Sequence, residues 1–158
     1  MSSDDASGPA ALDFWLGDWS CAWDGGHGRN RVTREFDGHV VVERFESLAP
    51  ERWSGMSVSV FDARGGRWRQ TWVDTSGNYW ALEEGRDLDD VTFEVDETEV
   101  REDGSPVEVR KRMVFSDIET DAFHWRWERS YDGGASWEPL WTIDYRRGEG
   151  VGTADVNA

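Results

Sequence analysis

The sequence predicts an all-β fold, a single antiparallel up-and-down β-barrel of about nine or ten strands with a short N-terminal helix closing one end. Three observations lead to it. Short runs of residues alternate between apolar and polar side chains, turn-forming residues separate these runs about every 8–12 residues, and only one short segment has a helical period. Closure removes the exposed edge strands of an open sheet. A β-sandwich is the alternative architecture.

The helix is expected directly before the first strand. Ser7 fits an N-cap and Gly17 a left-handed stop, with Leu12 and Trp15 on one face between them. After Gly17 the apolar period changes from about 3.6 residues to 2, which predicts a strand that includes Trp19. This segment is therefore interpreted as a helical lid that leads into the barrel.

The other strands are predicted from alternating runs and the turns between them. Asp37-Gly38 lies between two such runs and predicts a hairpin. In the fourth strand, Met56, Val58 and Val60 form the apolar face, which we expect to point inward. Residues 48–52 are expected to form a loop. The later strands are predicted at 29–36, 39–46, 53–62, 67–74, 79–84, 91–95, 107–115, 122–131 and 137–146.

The length of 158 residues predicts one domain, a barrel over 9–147 between a disordered leader (1–8) and a flexible tail (148–158). The single cysteine, Cys21, excludes an internal disulfide, indicates a small core residue and fits a reducing compartment. The N-terminus has no secretory pattern, and no stretch approaches about eighteen apolar residues. We therefore expect a soluble cytoplasmic protein.

The formal net charge of −16 makes nucleic acid and anionic membranes poor partners, because phosphates would be repelled. Eleven tryptophans indicate a wide aromatic core, an aromatic cavity, or both. No nucleophile or phosphate-loop motif is present. The expected partner is a small hydrophobic or aromatic molecule, and a homodimer is a further expectation.

Several polar residues fall in register with the apolar faces and become candidates for ligand contact. Gln70, Lys111 and Arg129 lie mid-strand, whereas His39 and Glu84 fit strand ends. The predicted ligand-binding residues are Gln70, Trp72, Trp80, Lys111, Trp127, Arg129, Trp141 and Tyr145. One β-bulge would exchange the two faces of a strand and turn the opposite set of residues toward the interior instead. That set is Arg110, Arg112, His124, Arg126 and Glu128.

Residues 130–137 fit the pattern S-x-D-x-G-x-[ST]-W, which resembles the Asp box of sialidase-type propellers. Asp132 would accept backbone hydrogen bonds across the turn, Gly133 and Gly134 would supply positive φ, and Trp137 would pack beneath. A propeller should repeat this unit in each blade, but the chain has one copy. We interpret it as a hairpin staple.

Gly17-Asp18-Trp19 after a short helix resembles the G-x-W signature that opens lipocalin-type barrels. In that superfamily the tryptophan closes the barrel floor and an arginine from a late strand lies over it. The resemblance implies this cation–π role for Arg129, Arg146 or Arg147 without choosing among them.

The whole pattern resembles a bacterial family of small lipocalin-like domains of unknown function. It comprises residues 14–19 at the start, 130–137 near the end and Asp144-Tyr145-Arg146 in the last strand. The resemblance implies a calycin-type barrel with a small-molecule cavity, and it implies no substrate.

The three histidines, His27, His39 and His124, lack metal-ligand spacing, so no metal and no cofactor is expected. The more specific alternative to a metal site is a haem group bound through one histidine, as in the barrel called nitrobindin. Neither that protein's glycine-rich opening nor a histidine on the tryptophan face of the last strands is present.

Three functions are compatible with these sequence features. The leading hypothesis is a binding barrel whose tryptophans hold a flat or apolar molecule, with Lys111 and Arg129 meeting an acidic or carbonyl group. The first alternative is a cyclase, isomerase or dehydratase that uses Glu43 or Asp74 as a proton acceptor, with Lys111 or Arg129 stabilising negative charge. The second alternative is a dimeric interaction module with an outer aromatic face. That face would comprise Trp15, Trp53 and Trp68.

Overall fold

Ten antiparallel strands form one closed barrel in the computed structural model, which describes residues 8–85 and 90–148. Each strand pairs with its neighbours in the chain, and β1 pairs with β10 to close the sheet. The strands are β1 Gly17–Trp23, β2 Gly26–Glu35, β3 Val40–Ala49, β4 Trp53–Asp62, β5 Arg67–Asp74, β6 Tyr79–Glu84, β7 Val91–Val100, β8 Pro106–Ser116, β9 Ala122–Ser130 and β10 Glu138–Arg147.

The predicted fold class is confirmed, and the sandwich alternative is wrong. The register between β1 and β10 runs from Trp19 opposite Arg147 to Ala22 opposite Asp144, so the first strand pairs with the last. Closure gives every strand a partner on both sides over part of its length, which removes most of the exposed edge that promotes aggregation. Cys21 is fully buried in the core, as predicted.

The N-terminal lid is less helical than predicted. A single 3-10 turn, Asp13–Trp15, follows a series of turns, and no α-helix occurs in residues 8–85 or 90–148. Leu12 and Trp15 are buried, so the predicted apolar face exists. Gly17 has φ +122 and begins β1 as expected, whereas Ser7 lies outside the described residues. Within residues 8–85 and 90–148, no helix has the length and apolar character to cross a membrane.

The prediction that Met56, Val58 and Val60 point inward is wrong. The inner face of β4 is formed instead by Gly55, Ser57 and Ser59, all buried, while Val58 and Val60 are about two-fifths exposed. The small inner residues make room for large side chains from neighbouring strands. A Cβ at position 55 would collide with the ring of Trp72, so glycine lets this ring lie against the β4 backbone.

Several strand ends also differ from the prediction. β2 and β3 are joined by a four-residue loop, in which Phe36, Asp37 and Gly38 have positive φ, so His39 lies in the loop. β3 continues to Ala49, into the predicted loop. β7 continues to Val100 through a polar stretch that pairs with β8 along its whole length. Because hydrogen-bonded pairing does not require apolar side chains, the sequence pattern missed these extensions.

The turn between β9 and β10 is the predicted staple. Asp132 accepts hydrogen bonds from Ser130 Oγ at 2.7 Å and from the backbone N–H of Ser136 at 2.9 Å. Trp137 then folds over the outer surface of the barrel, with the Arg112 guanidinium 3.7 Å from its ring centroid. Arg112 also pairs with buried Glu128 at 2.6 Å, so this motif has a structural role outside the barrel.

Candidate functional site

One end of the barrel is closed by the N-terminal lid. The Arg147 guanidinium lies 4.1 Å from the Trp19 ring centroid, and it donates hydrogen bonds to the carbonyl oxygens of Leu16 and, at 3.0 Å, Phe14. Of the three arginines proposed to lie over Trp19, namely Arg129, Arg146 and Arg147, the structure therefore selects Arg147. Any entrance to the interior is expected at the opposite end, which holds the β5–β6 and β9–β10 turns.

A cavity of about 240 Å³ extends from the centre of the barrel toward that opposite end. Seven of the eleven tryptophans line it, together with other aromatic, aliphatic and polar residues. The lining consists of Trp15, Glu43, Phe45, Trp53, Trp72, Asp74, Ser76, Asn78, Trp80, Met113, Phe115, Trp125, Trp127, Trp141, Ile143 and Tyr145.

The tryptophans of the lining contact one another and form continuous aromatic walls. Trp80 and Trp127 have ring centroids 5.1 Å apart, and Trp141 lies edge-on to Trp125 at 5.6 Å. Trp53 lies 5.8 Å from Trp141 on the other side. These contacts fix the orientation of the rings, because aromatic pairs in such geometries attract beyond their simple burial.

A buried polar cluster lies at the inner part of the cavity. The Glu43 carboxylate accepts hydrogen bonds from Ser57 Oγ and Asn30 Nδ2, both at 2.7 Å, and Asn30 Nδ2 lies 3.1 Å from the Tyr145 hydroxyl. Burial raises the pKa of Glu43 although both hydrogen bonds lower it. Burial also raises the pKa values of Tyr145 and Cys21. Glu43 is therefore a carboxyl that keeps its proton to higher pH than it would in water.

Asp74 lies at the outer part of the cavity, where β5 ends. Its carboxylate accepts hydrogen bonds from Trp72 Nε1 at 2.9 Å, from the backbone N–H of Ser76 at 2.9 Å and from Asn78. Desolvation raises the pKa of Asp74, but these hydrogen bonds outweigh it and the net pKa is lowered. Asp74 thus stays ionised and also orients the Trp72 ring that lines the cavity.

The structure brings together seven of the predicted site residues around this cavity. Trp72, Trp80, Trp127, Trp141 and Tyr145 line it, and so do both predicted carboxylates. Those carboxylates are Glu43 and Asp74.

Three other predicted residues point inward but do not belong to the lining. Gln70 is buried and donates a hydrogen bond to Ser59 Oγ at 3.0 Å. Lys111 pairs with Glu97 at 2.9 Å and with Glu99 at 3.5 Å. Arg129 pairs with Glu138 at 2.8 Å and lies over Tyr131. Both predicted cations are therefore already neutralised by carboxylates.

Sequence reasoning missed part of the lining. Trp125 shares its strand face with Trp127, so the alternation in β9 was a sufficient signal to find it. The dimer alternative placed Trp15, Trp53 and Trp68 on the outer surface, but Trp15 and Trp53 line the cavity and Trp68 is buried in the core. The expected aromatic dimer face is thus not formed by these residues, and a homodimer stays a prediction.

The histidines lie away from the cavity. His27 and His39 are exposed, and His124 is exposed on the outside of β9, with Nδ1 2.5 Å from Asp144. Among the described residues, no group of three or more His, Cys, Asp or Glu side chains is arranged to hold a metal ion.

A second depression of about 800 Å³ crosses the outside of the first five strands. It is an open groove, and its charged side chains are largely paired with one another. Arg29 pairs with Glu46 at 2.8 Å, and Arg31 pairs with Asp18 at 2.9 Å. The groove is larger than the inner cavity, but it has none of the aromatic enclosure that holds a small molecule, so we take the inner cavity as the candidate site.

The fold and the site define a class of protein, a closed antiparallel barrel that fits the lipocalin-like, calycin type and contains buried aromatic clusters. No family model matches the chain, and no curated protein matches it either. The particular bacterial family that the opening and closing motifs resemble stays a prediction.

Proposed function

We propose that the protein binds a small, flat, largely apolar molecule inside the barrel. The observation that carries this proposal is a cavity of about 240 Å³ lined by seven tryptophans. An engineered core cavity of about 150 Å³ in another protein is known to hold benzene, so this space suits a molecule of one or two rings, and a third ring can extend into the open end of the barrel. Indole walls with a few polar groups are typical of small-molecule sites.

The polar groups in the lining set how such a molecule would be oriented. Glu43 keeps its proton to higher pH than usual because it is buried, so it can donate a hydrogen bond to a carbonyl group. An acidic group on the ligand is less favoured than sequence reasoning expected, since Lys111 and Arg129 are paired with carboxylates. The proposed ligand is therefore a flat molecule with a neutral hydrogen-bond acceptor directed toward Glu43.

Titration with the fluorescent probe N-phenyl-1-naphthylamine tests this proposal, because the probe is flat, uncharged and brighter in apolar surroundings. We expect wild-type protein to enhance its emission saturably. Trp127→Leu, inside the cavity, should weaken binding about tenfold or more. Trp137→Leu removes a tryptophan from the outer surface and should leave binding unchanged. No saturable binding, or equal effects of the two substitutions, would overturn the proposal.

A catalytic role is the second candidate, and one observation favours it. Glu43 is a buried carboxyl with a raised pKa inside an aromatic cavity, which are the properties of a general acid or base. Asp74 lines the same cavity and is ionised. These two carboxyls would serve an isomerisation, cyclisation or dehydration that moves a proton within a bound substrate.

Proton transfer can be tested before the substrate is known. The flat ketone 2-tetralone exchanges the hydrogens next to its carbonyl group with solvent when a base removes one of them. We expect wild-type protein in D₂O to accelerate deuterium incorporation above the buffer rate, measured by mass spectrometry, and Glu43→Gln to abolish the acceleration while 2-tetralone still displaces the probe. Equal rates with wild type and with buffer would favour binding alone.

A further inference from the structure

We infer that the ligand of this cavity carries a cationic nitrogen group, which lies at the open end of the barrel between the Trp80 ring and the carboxylates of Asp74 and Glu97. The inference rests on the proposed function and adds the charge class of the ligand.

The charge of the cavity itself favours a cation. None of the described residues that line it is a lysine, arginine or histidine. The ionisable groups in the lining are Glu43, Asp74 and Tyr145, and hydrogen bonds lower the pKa of Asp74, so its carboxylate is ionised at neutral pH. An anionic ligand would meet a carboxylate without a compensating cation, whereas a cation would gain both the carboxylate and the surrounding indole faces.

The balance of charge next to the cavity mouth also favours a cation. Lys111 is shared between Glu97 at 2.9 Å and Glu99 at 3.5 Å, so one ammonium serves two carboxylates. Arg129 is bound by Glu138 and supplies no free positive charge. Together with Asp74 the mouth therefore has more negative than positive groups, and its low-dielectric aromatic walls strengthen the attraction for a cation.

The barrel wall has an opening at this position. Among the described residues, β6 and β7 pair with each other only at Glu83 opposite Glu94 and Glu84 opposite Phe93, so toward the cavity mouth β6 pairs only with β5 and β7 only with β8. The Trp80 indole N–H bridges the opening by donating to Glu97 Oε2 at 2.8 Å. An aromatic face and a carboxylate thus stand side by side where a ligand would enter.

The environment of Trp80 already accommodates one cation. Lys111 Nζ lies 5.9 Å from the Trp80 ring centroid, within the range of a cation–π contact. A ligand ammonium on the cavity side of the same ring would use the same attraction. Glu97 also retains acceptor capacity, because each carboxylate oxygen accepts more than one hydrogen bond.

Three naphthalene derivatives of similar shape test the inference by displacing N-phenyl-1-naphthylamine at neutral pH. They are cationic 1-naphthylmethylamine, neutral 1-naphthylmethanol and anionic 1-naphthoate. We expect the amine to bind about tenfold more tightly than the alcohol, and the acid to bind most weakly. Equal affinity of amine and alcohol, or tightest binding of the acid, would overturn the cationic assignment while leaving the cavity proposal intact. If the probe itself does not bind, the proposed function fails instead.

Single substitutions test whether the preference for the amine over the alcohol arises at the cavity mouth. Glu97→Gln removes one negative charge at the mouth and should weaken the amine about three- to tenfold while the affinity of the alcohol stays constant. Glu119→Gln removes the same charge from an exposed loop at the closed end and serves as the control. An equal loss of amine and alcohol affinity would mean that Glu97 acts only by holding Trp80.

Lys111→Gln gives a second test, in which the affinity for the amine should rise instead of fall. Removal of this ammonium frees Glu97 and Glu99 and should strengthen amine binding, whereas a role in holding an acidic ligand requires loss of 1-naphthoate binding. Weaker binding of the amine to Lys111→Gln would contradict the inference. Alcohol affinity reports in each variant whether the cavity is still formed.

Discussion

The guanidinium of Arg147, at the end of the last strand, lies 4.1 Å from the ring centroid of Trp19, near the start of the first. The same group donates hydrogen bonds to the carbonyl oxygens of Leu16 and Phe14, so one side chain joins the lid, β1 and β10. Gly17 permits this approach, because a Cβ there would collide with the guanidinium. The closed end of the barrel depends on these contacts.

Replacement of Arg147 should therefore destabilise the protein. Arg147→Met loses the cation–π contact and leaves the carbonyl groups of Phe14, Leu16 and Thr120 without their donor, which we expect to lower the free energy of unfolding by about 2–3 kcal/mol. Arg146→Met, on the exposed side of the same strand, is the control and should change it by less than about 0.5 kcal/mol. Urea denaturation measures both, and similar midpoints for the two variants would contradict the role given to Arg147.

The close contact of Gly55 with Trp72 predicts a specific effect on ligand binding. A methyl group at position 55 would occupy the place of the Trp72 ring, so Gly55→Ala should push the ring into the cavity and weaken N-phenyl-1-naphthylamine binding about tenfold. Ser54→Ala changes the neighbouring exposed position and should have no such effect. If Gly55→Ala binds the probe as wild type does, Trp72 does not form this wall.

Burial of Glu43 predicts a characteristic pH dependence of stability. Its pKa is raised in the folded protein, so its contribution is complete below the unfolded pKa of about 4.5 and is lost as pH rises through the folded pKa. Glu43→Gln stays neutral, and Asn30 Oδ1, which has no hydrogen-bond partner among the described residues, can accept from the new amide after the Asn30 amide flips. The stability of this variant relative to wild type should therefore increase from pH 5 to pH 9 in thermal denaturation. A difference that is constant over this range would show that Glu43 is not buried in its neutral form.

Asp132 predicts the opposite dependence at acidic pH. Hydrogen bonds from Ser136 and Ser130 lower its pKa to about 2, below its usual value of 3.8. The stabilisation is thus present above the unfolded pKa and lost as pH falls toward 2. The melting temperature of wild type should exceed that of Asp132→Ala at pH 5, and the difference should shrink by pH 2. A difference that persists at pH 2 would mean that the carboxylate is not what holds the turn.

The sequence predicted the barrel and much of its cavity because both depend on strand alternation. Trp72, Trp80, Trp127 and Trp141 could be assigned to the inner face since a period of two residues determines the side of a sheet. The same rule failed in β4, where Val58 points outward and Ser57 inward. Small inner residues are needed beside large indoles, and that requirement comes from neighbouring strands.

The alternation pattern also could not predict how far along the barrel axis a side chain lies. Lys111 and Trp127 both lie on inner faces, but Trp127 lines the cavity while Lys111 pairs with Glu97 beside it. Alternation gives the face of a residue and not its depth or its ion-pair partner. Trp15 lies in the lid, outside any strand, so no periodic signal connected it to the cavity.

A crystal structure of the protein grown with 1-naphthylmethylamine would show whether the barrel cavity binds a cationic ligand. We expect the naphthalene ring between the tryptophans of the cavity, including Trp127 and Trp141, with its amine near Asp74 and Glu97. An interior in which these side chains have closed together, with the amine absent from the barrel or bound only in the outer groove, would contradict it.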